Sequence, residues 1–86
     1  TTHVVSVHGA EVELTYKEFE LLVLLMKHPS RVFSREHLHD RIWGTDYDGE
    51  NRTVDVHVRR LRQKLGTAER FIKTVRGLGY KFEVSS

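Results

Sequence analysis

Eighty-six residues, 30% of them charged and 38% hydrophobic, allow a single domain, 1–86, around one small core. Cysteine is absent, which removes disulfides and thiolate zinc sites and suits a cytoplasmic location; no apolar run approaches the roughly 20 residues that cross a bilayer, so no membrane is expected as a partner, and no signal-peptide pattern is present. The net charge of +2 conceals an asymmetry, five Lys/Arg against nine Asp/Glu in residues 1–51 and nine against two in residues 52–81, which is the footprint of a polyanion binder kept soluble by its acidic half.

His3-Val4-Val5-Ser6-Val7 and Glu11-Val12-Glu13-Leu14 are short strand candidates joined by a turn at His8-Gly9-Ala10. Such a hairpin is marginal alone in water and needs a surface to lie on. Thr15-Tyr16-Lys17-Glu18 is a capping box, with Thr15 at the N-cap and Glu18 three residues on. The helix it opens carries Tyr16, Phe19, Leu22, Val23 and Met26 on one face, thickened by Leu21, Leu24 and Leu25. It is the most apolar helix and the expected centre of the core. His28-Pro29 stops it. Arg31-Val32-Phe33 is long enough only for a bridging strand. Ser34 caps a second helix, Arg35 to about Trp43, with Glu36 in the first turn, Leu38 and Ile42 facing inward and Gly44 at the end. The acidic stretch Thr45-Asp46-Tyr47-Asp48-Gly49-Glu50 is longer than the connection of a tight helix-turn-helix.

The third helix, Asn51 to Leu65, places Val54, Val58, Leu61 and Leu65 at i, i+4, i+7 and i+11. At about 100° per residue they form one narrow apolar stripe. Arg52, Val56, Arg59, Arg60 and Gln63 project from the opposite side, which carries no carboxylate; Asp55, the only acid of the segment, sits on a flank. Gly66 ends the helix. A short polar link leads to Phe71–Val75, Arg76-Gly77-Leu78-Gly79 turns, and Tyr80-Lys81-Phe82-Glu83-Val84 returns with Tyr80, Phe82 and Val84 on its half-buried side. The two glycines permit positive φ at the tip, where Arg76 is held. The expected fold is α+β: a winged helix-turn-helix with short N-terminal antiparallel strands, three helices and a C-terminal β-hairpin wing over 71–84. In that arrangement the third helix enters the major groove and the wing arginine reaches an adjacent minor groove.

Leu14-Thr15-Tyr16-Lys17-Glu18-Phe19-Glu20-Leu21-Leu22, Phe33-Ser34-Arg35-Glu36-His37-Leu38 and Ile42-Trp43-Gly44 closely resemble the effector domain of OmpR/PhoB-type bacterial response regulators. So do Arg52-Thr53-Val54-Asp55-Val56-His57-Val58-Arg59-Arg60-Leu61-Arg62 and Thr74-Val75-Arg76-Gly77-Leu78-Gly79-Tyr80-Lys81-Phe82, so the likeness runs from about Val12 onward. The resemblance implies sequence-specific binding of double-stranded promoter DNA, often as tandem dimers on direct repeats, after a receiver domain phosphorylated on aspartate. It implies base contact by Arg60 and Val56. Backbone contact is implied for Trp43, Arg52, His57, Arg59, Arg62, Thr74 and Tyr80, and minor-groove contact for Arg76. The loop bearing Asp46, Tyr47, Asp48 and Glu50 matches one that in the family can touch RNA polymerase. The expectation is an effector domain without its receiver, linked to a sensor kinase only through that receiver, and monomeric until it meets DNA. The family begins with a four-stranded sheet and about two strands are legible here, so the chain is expected to begin midway through it.

Each assignment has a plainer rival. Arg60 fits a solvated helix face as well as base readout, where its fork would donate twice to guanine O6 and N7. Arg52, Arg59 and Arg62 suit phosphates, and about four such cations imply a slope near −3.6 for log K against log salt. Thr74 and Tyr80 fit strand packing as well as hydroxyl donation to phosphate; for Tyr80 a buried ring with a wet hydroxyl satisfies both. Trp43 suits core packing, an indole N–H donated to phosphate, or both. Neutral His57 keeps one donor. His37 and His39 stand about 200° apart on a helix and cannot share a metal. Asp46-Tyr47-Asp48-Gly49 resembles the start of a calcium loop, but its glycine falls two positions early and His57 stands where the closing glutamate belongs. No nucleophile with its base and no paired catalytic carboxylates can be placed, so neither enzyme nor cofactor is expected. The rival of another class is a winged-helix protein-interaction module using the same helix face. An RNA binder of the sheet type should expose stacking aromatics, and the aromatics here occupy core positions.

Overall fold

The computed structural model describes residues 2–7, 9–44 and 52–84. The acidic loop, with the candidate positions Asp46, Tyr47, Asp48 and Glu50, lies outside the described residues.

Strands β1 (Thr2–Val7) and β2 (Ala10–Thr15) pair antiparallel, from Thr2↔Thr15 to Val7↔Ala10. Thr15 then caps helix α1 (Tyr16–Lys27). Both bonds of the capping box form: Thr15 Oγ1 accepts from the Glu18 N–H at 3.2 Å, and Glu18 Oε1 accepts from the Thr15 N–H at 2.9 Å. The buried side of α1 is rotated from the face read in the sequence. Leu21, Leu22, Leu24 and Leu25 are buried, whereas Tyr16 and Met26 are each 49% exposed. The unbroken apolar run Leu21-Leu22-Val23-Leu24-Leu25 widens the apolar arc until periodicity no longer marks its centre. Helix α3 settles the matter, because its Lys64 draws the Glu18 carboxylate inward, with Nζ donating to Oε1 at 2.7 Å.

The bridging strand β3 is Phe33–Ser34, starting two residues and ending one residue later than expected, and Ser34 doubles as the cap of α2 (Arg35–Ile42), its Oγ accepting from the His37 N–H at 3.0 Å. Leu38 and Ile42 face inward as the spacing suggested. Helix α3 (Arg52–Leu65) buries its whole stripe: Val54, Val58, Leu61 and Leu65 expose no more than 6% each. They meet Leu14, Leu21, Leu25 and Phe33 in one core. Burying a side chain of this size contributes roughly 1.5–3 kcal/mol, so helix amphipathicity supplies most of what orients α3.

The polar link after Leu65 is in fact a 3-10 helix, Gly66–Phe71, anchored by buried Ala68. A lone alanine among polar residues gives no periodic signal. Strands β4 (Ile72–Val75) and β5 (Gly79–Phe82) form the wing, with β5 in the middle of a sheet ordered β3-β5-β4. Val84 lies beyond β5 and is 67% exposed, so the alternation stops at Phe82. The two glycines of the tip differ in purpose. Gly77 takes φ +77° in the turn, whereas Gly79 has no positive φ. Its place opposite Ser34 leaves no room for a side chain, because an added Cβ would overlap the Phe33 carbonyl oxygen. Among the described residues no helix is long and apolar enough to cross a membrane.

Candidate nucleic-acid interface

With its stripe buried, α3 turns Arg52, Val56, Arg59, Arg60 and Gln63 to solvent. Val56 is 41% exposed, an apolar spot one turn before Arg60. Arg59 and Arg60 make no hydrogen bond or ion pair with other described residues. Arg76 is exposed in the turn between β4 and β5.

Other expected contact residues are tied to the protein first. Trp43 is half-buried at the end of α2, its ring edge-on to His57 with centroids 4.8 Å apart and stacked on His39 at 5.8 Å. His57 Nδ1 lies 2.9 Å from the Thr53 carbonyl oxygen. A carbonyl only accepts, so Nδ1 carries the proton, and the one donor of the neutral ring is directed into the helix. Nε2 is left to accept; it donates only when the ring is charged. Arg62 donates from Nε and Nη2 to the Ile72 carbonyl, at 3.1 and 2.8 Å, and from Nη2 to Thr74 Oγ1 at 2.7 Å. Its guanidinium therefore fastens α3 to β4. Thr74 accepts from Arg62 and keeps its hydroxyl proton for another partner.

For Tyr80 the sequence leaves strand packing and hydroxyl donation to phosphate both open. The ring is buried, but the hydroxyl donates to Asp55 Oδ1 at 2.6 Å. Burial first, and then the bond to and charge of Asp55, push the phenol up to about 12, so it remains a donor throughout the physiological range. Asp55 Oδ2 faces Arg35 Nη1 at 3.4 Å. Sequence reading passed over Arg35 and this use of Asp55. The available signal was a single acid on the flank of an otherwise basic helix.

An amphipathic helix with a basic outer face packed against two others, beside a three-stranded sheet whose hairpin carries an arginine at its turn, defines a winged-helix domain. Residues 9–82 match the family described as "Transcriptional regulatory protein, C terminal". The chain belongs to that family, the OmpR/PhoB-type DNA-binding domains, a regulatory class rather than an enzyme class. Among curated proteins it is 51% identical over 84 residues to the sensory transduction protein RegX3 of Mycobacterium leprae, covering 94% of this chain and 42% of that protein. It is 50% identical over 88 residues to the transcriptional regulatory protein SrrA of Staphylococcus aureus, covering 98% and 36%. The chain thus spans about two-fifths of the length of these relatives. Among solved structures, the DNA-binding domain of Bacillus subtilis CssR superposes with a TM-score of 0.83 at 37% identity, covering 95% of this chain and 99% of that one. The Klebsiella pneumoniae RstA DNA-binding domain, solved in complex with the RstA box, gives 0.80 at 38% identity, covering 93% and 82%.

Proposed function

We propose that this chain binds double-stranded DNA sequence-specifically as the effector domain of a two-component transcription regulator, with α3 in the major groove and the wing at the minor groove. The observation that carries the reading is the outward face of α3, where Val56, Arg59 and Arg60 stand exposed on a helix whose opposite side is sealed into the core. Arg60 is the base reader, its fork matching guanine O6 and N7, and Val56 offers apolar contact to a thymine methyl. Arg52, Arg59 and Arg76 supply charge to the backbone and the minor groove. Thr74 donates its free hydroxyl proton to phosphate, and Trp43 places its indole N–H beside it. Arg62 and Tyr80 hold the surface in shape, and Arg62 keeps its Nη1 donors and its charge for phosphate. The relatives are more than twice as long as this chain, which leaves room in a full-length protein for a receiver domain; that receiver's response to a kinase, and tandem copies on direct repeats, are proposed from the family resemblance.

Selection from randomised duplexes at moderate salt, run beside Arg60→Ala, tests the reading. The wild type is expected to enrich a short motif, and the variant to lose about 1–3 kcal/mol of discrimination at one base pair. Failure of the wild type to bind any duplex at low salt would instead assign the α3 face to a protein partner. Toward the described residues Arg62 uses only Nε and Nη2, on neutral acceptors, so its charge and its Nη1 donors join Arg52, Arg59 and Arg76 to give about four cations for phosphate. A titration from low to moderate salt should then give log K falling with log salt at a slope of about −3.6; a slope close to zero would remove the phosphate contacts from this picture of binding.

A further inference from the structure

Groups from three elements meet beside the recognition helix. Asp55 on α3 accepts from the Tyr80 hydroxyl on β5 at 2.6 Å and faces Arg35 on α2 at 3.4 Å. The Tyr80 ring in turn lies 5.5 Å from the Arg62 guanidinium, which donates to Ile72 and Thr74 on β4. Arg62 and Tyr80 each donate hydrogen bonds that join α3 to the wing. The Arg62 bonds reach the near strand, β4. The Asp55–Tyr80 bond reaches β5, the central strand that runs back from the turn bearing Arg76.

Asp55 is a costly choice at this place. It is the sole carboxylate of α3, on the flank of a surface suited to phosphates, and like charge there weakens binding of a polyanion. Its ion pair with Arg35 is partly exposed on both sides, at 35% and 50%, and so contributes little stability. What the carboxylate does supply is geometry: one oxygen fixes β5 and the other fixes the start of α2.

We propose that Asp55 is a positioning residue that sets the angle between the wing and the recognition helix, so that Arg60 and Arg76 meet the duplex as one rigid pair. This rests on the DNA reading above. It makes the spacing between the major-groove and minor-groove contacts a property of a hydrogen bond that touches neither. Holding two contacts in register raises affinity by avoiding the ordering cost of a loose wing.

The test compares wild type with Asp55→Ala, Asp55→Asn and Tyr80→Phe. In the free protein, 15N relaxation of residues 74–80 should show a loosened wing in Asp55→Ala and Tyr80→Phe. Asp55→Asn should behave as wild type, because the amide oxygen still accepts from the phenol. On DNA, Asp55→Ala and Tyr80→Phe should lose protection at the minor-groove sugars and bind roughly tenfold more weakly while keeping the major-groove footprint of α3. Asp55→Asn should stay within about threefold of wild type, a rescue that general destabilisation would not give. An unchanged wing in both Asp55→Ala and Tyr80→Phe overturns the proposal, as does an Asp55→Asn variant as loose as Asp55→Ala. If the wing loosens as expected but the wild type binds no duplex, the positioning stands and the DNA reading fails.

Discussion

Gly79→Ala is expected to lower stability by about 3 kcal/mol or more, read as a fall in the urea midpoint at an unchanged slope. The added methyl would overlap the Phe33 carbonyl oxygen and lie 2.9 Å from both the Phe33 carbonyl carbon and Ser34 Cα. These are backbone atoms of β3, and Phe33 is 1% exposed in the core, so the obstacle cannot turn aside as the end of a long side chain would. Either the β3–β5 pairing opens or the wing shifts as a body. Gly77→Ala is the control. Nothing lies within 4 Å of a Cβ there, and only the positive φ is penalised, at about 1–2 kcal/mol. If the two substitutions prove equally mild, the close approach at Gly79 does not exist in solution.

Glu18→Ala should cost about 3 kcal/mol. The carboxylate is 1% exposed, accepts from the Thr15 N–H, and receives the Lys64 ammonium. Losing it leaves a helix N-terminus half capped and strands an ammonium at the edge of the core. Breaking a fully buried pair costs about 3–5 kcal/mol, and the lower end applies because Lys64 is 37% exposed and can rehydrate. The same group makes stability depend on pH. Burial alone would raise the Glu18 carboxyl, but the hydrogen bond from Lys64, the Thr15 N–H and the ammonium charge together hold it below its ordinary 4.5. A carboxyl depressed in the folded state takes up its proton more readily when unfolded. Its contribution is therefore fully present above about pH 4.5 and drains away as pH falls through the lower folded value. Denaturation midpoints measured from neutral to strongly acid pH should show this loss in the wild type and a flatter profile in Glu18→Ala. Parallel profiles would mean that other carboxylates govern the acid transition.

These two sites show where sequence reading succeeds and where it stops. The capping box at Thr15–Glu18 and the stripe Val54–Val58–Leu61–Leu65 were legible because each is a local rule with a fixed spacing. The outward arginines followed from the stripe by geometry alone. What lay beyond local rules was hidden. No spacing joins Glu18 to Lys64 or Asp55 to Tyr80, which come together only when α1, α3 and the wing pack. Gly79 was visible as a glycine, yet turn chemistry offered a sufficient reason for it, and the true one is a neighbouring strand that arrives from far along the chain. For Arg62 and His57, residue type suggested a donor facing DNA, and nothing in the sequence signalled that Arg62 Nε and Nη2 and His57 Nδ1 also have partners within the protein. A sequence lists donors without showing which acceptors will be within reach.

The β3–β5 pairing has a consequence for the order of events in folding. Its register, Phe33↔Tyr80 and Ser34↔Gly79, closes a loop of about 45 residues that contains all of α2 and α3. Closing so long a loop before the helices have docked carries the full entropic cost for two residue pairs in return, whereas the capped helices nucleate locally. The wing sheet should therefore assemble last, after the three helices have condensed. A defect confined to that pairing, such as Gly79→Ala, would then quicken unfolding in stopped-flow measurements and leave the refolding rate nearly unchanged. The part of the molecule that completes the proposed grip on DNA would also be the first to come apart, fastened as it is by a two-residue strand whose Phe33 shares the core with the stripe of α3.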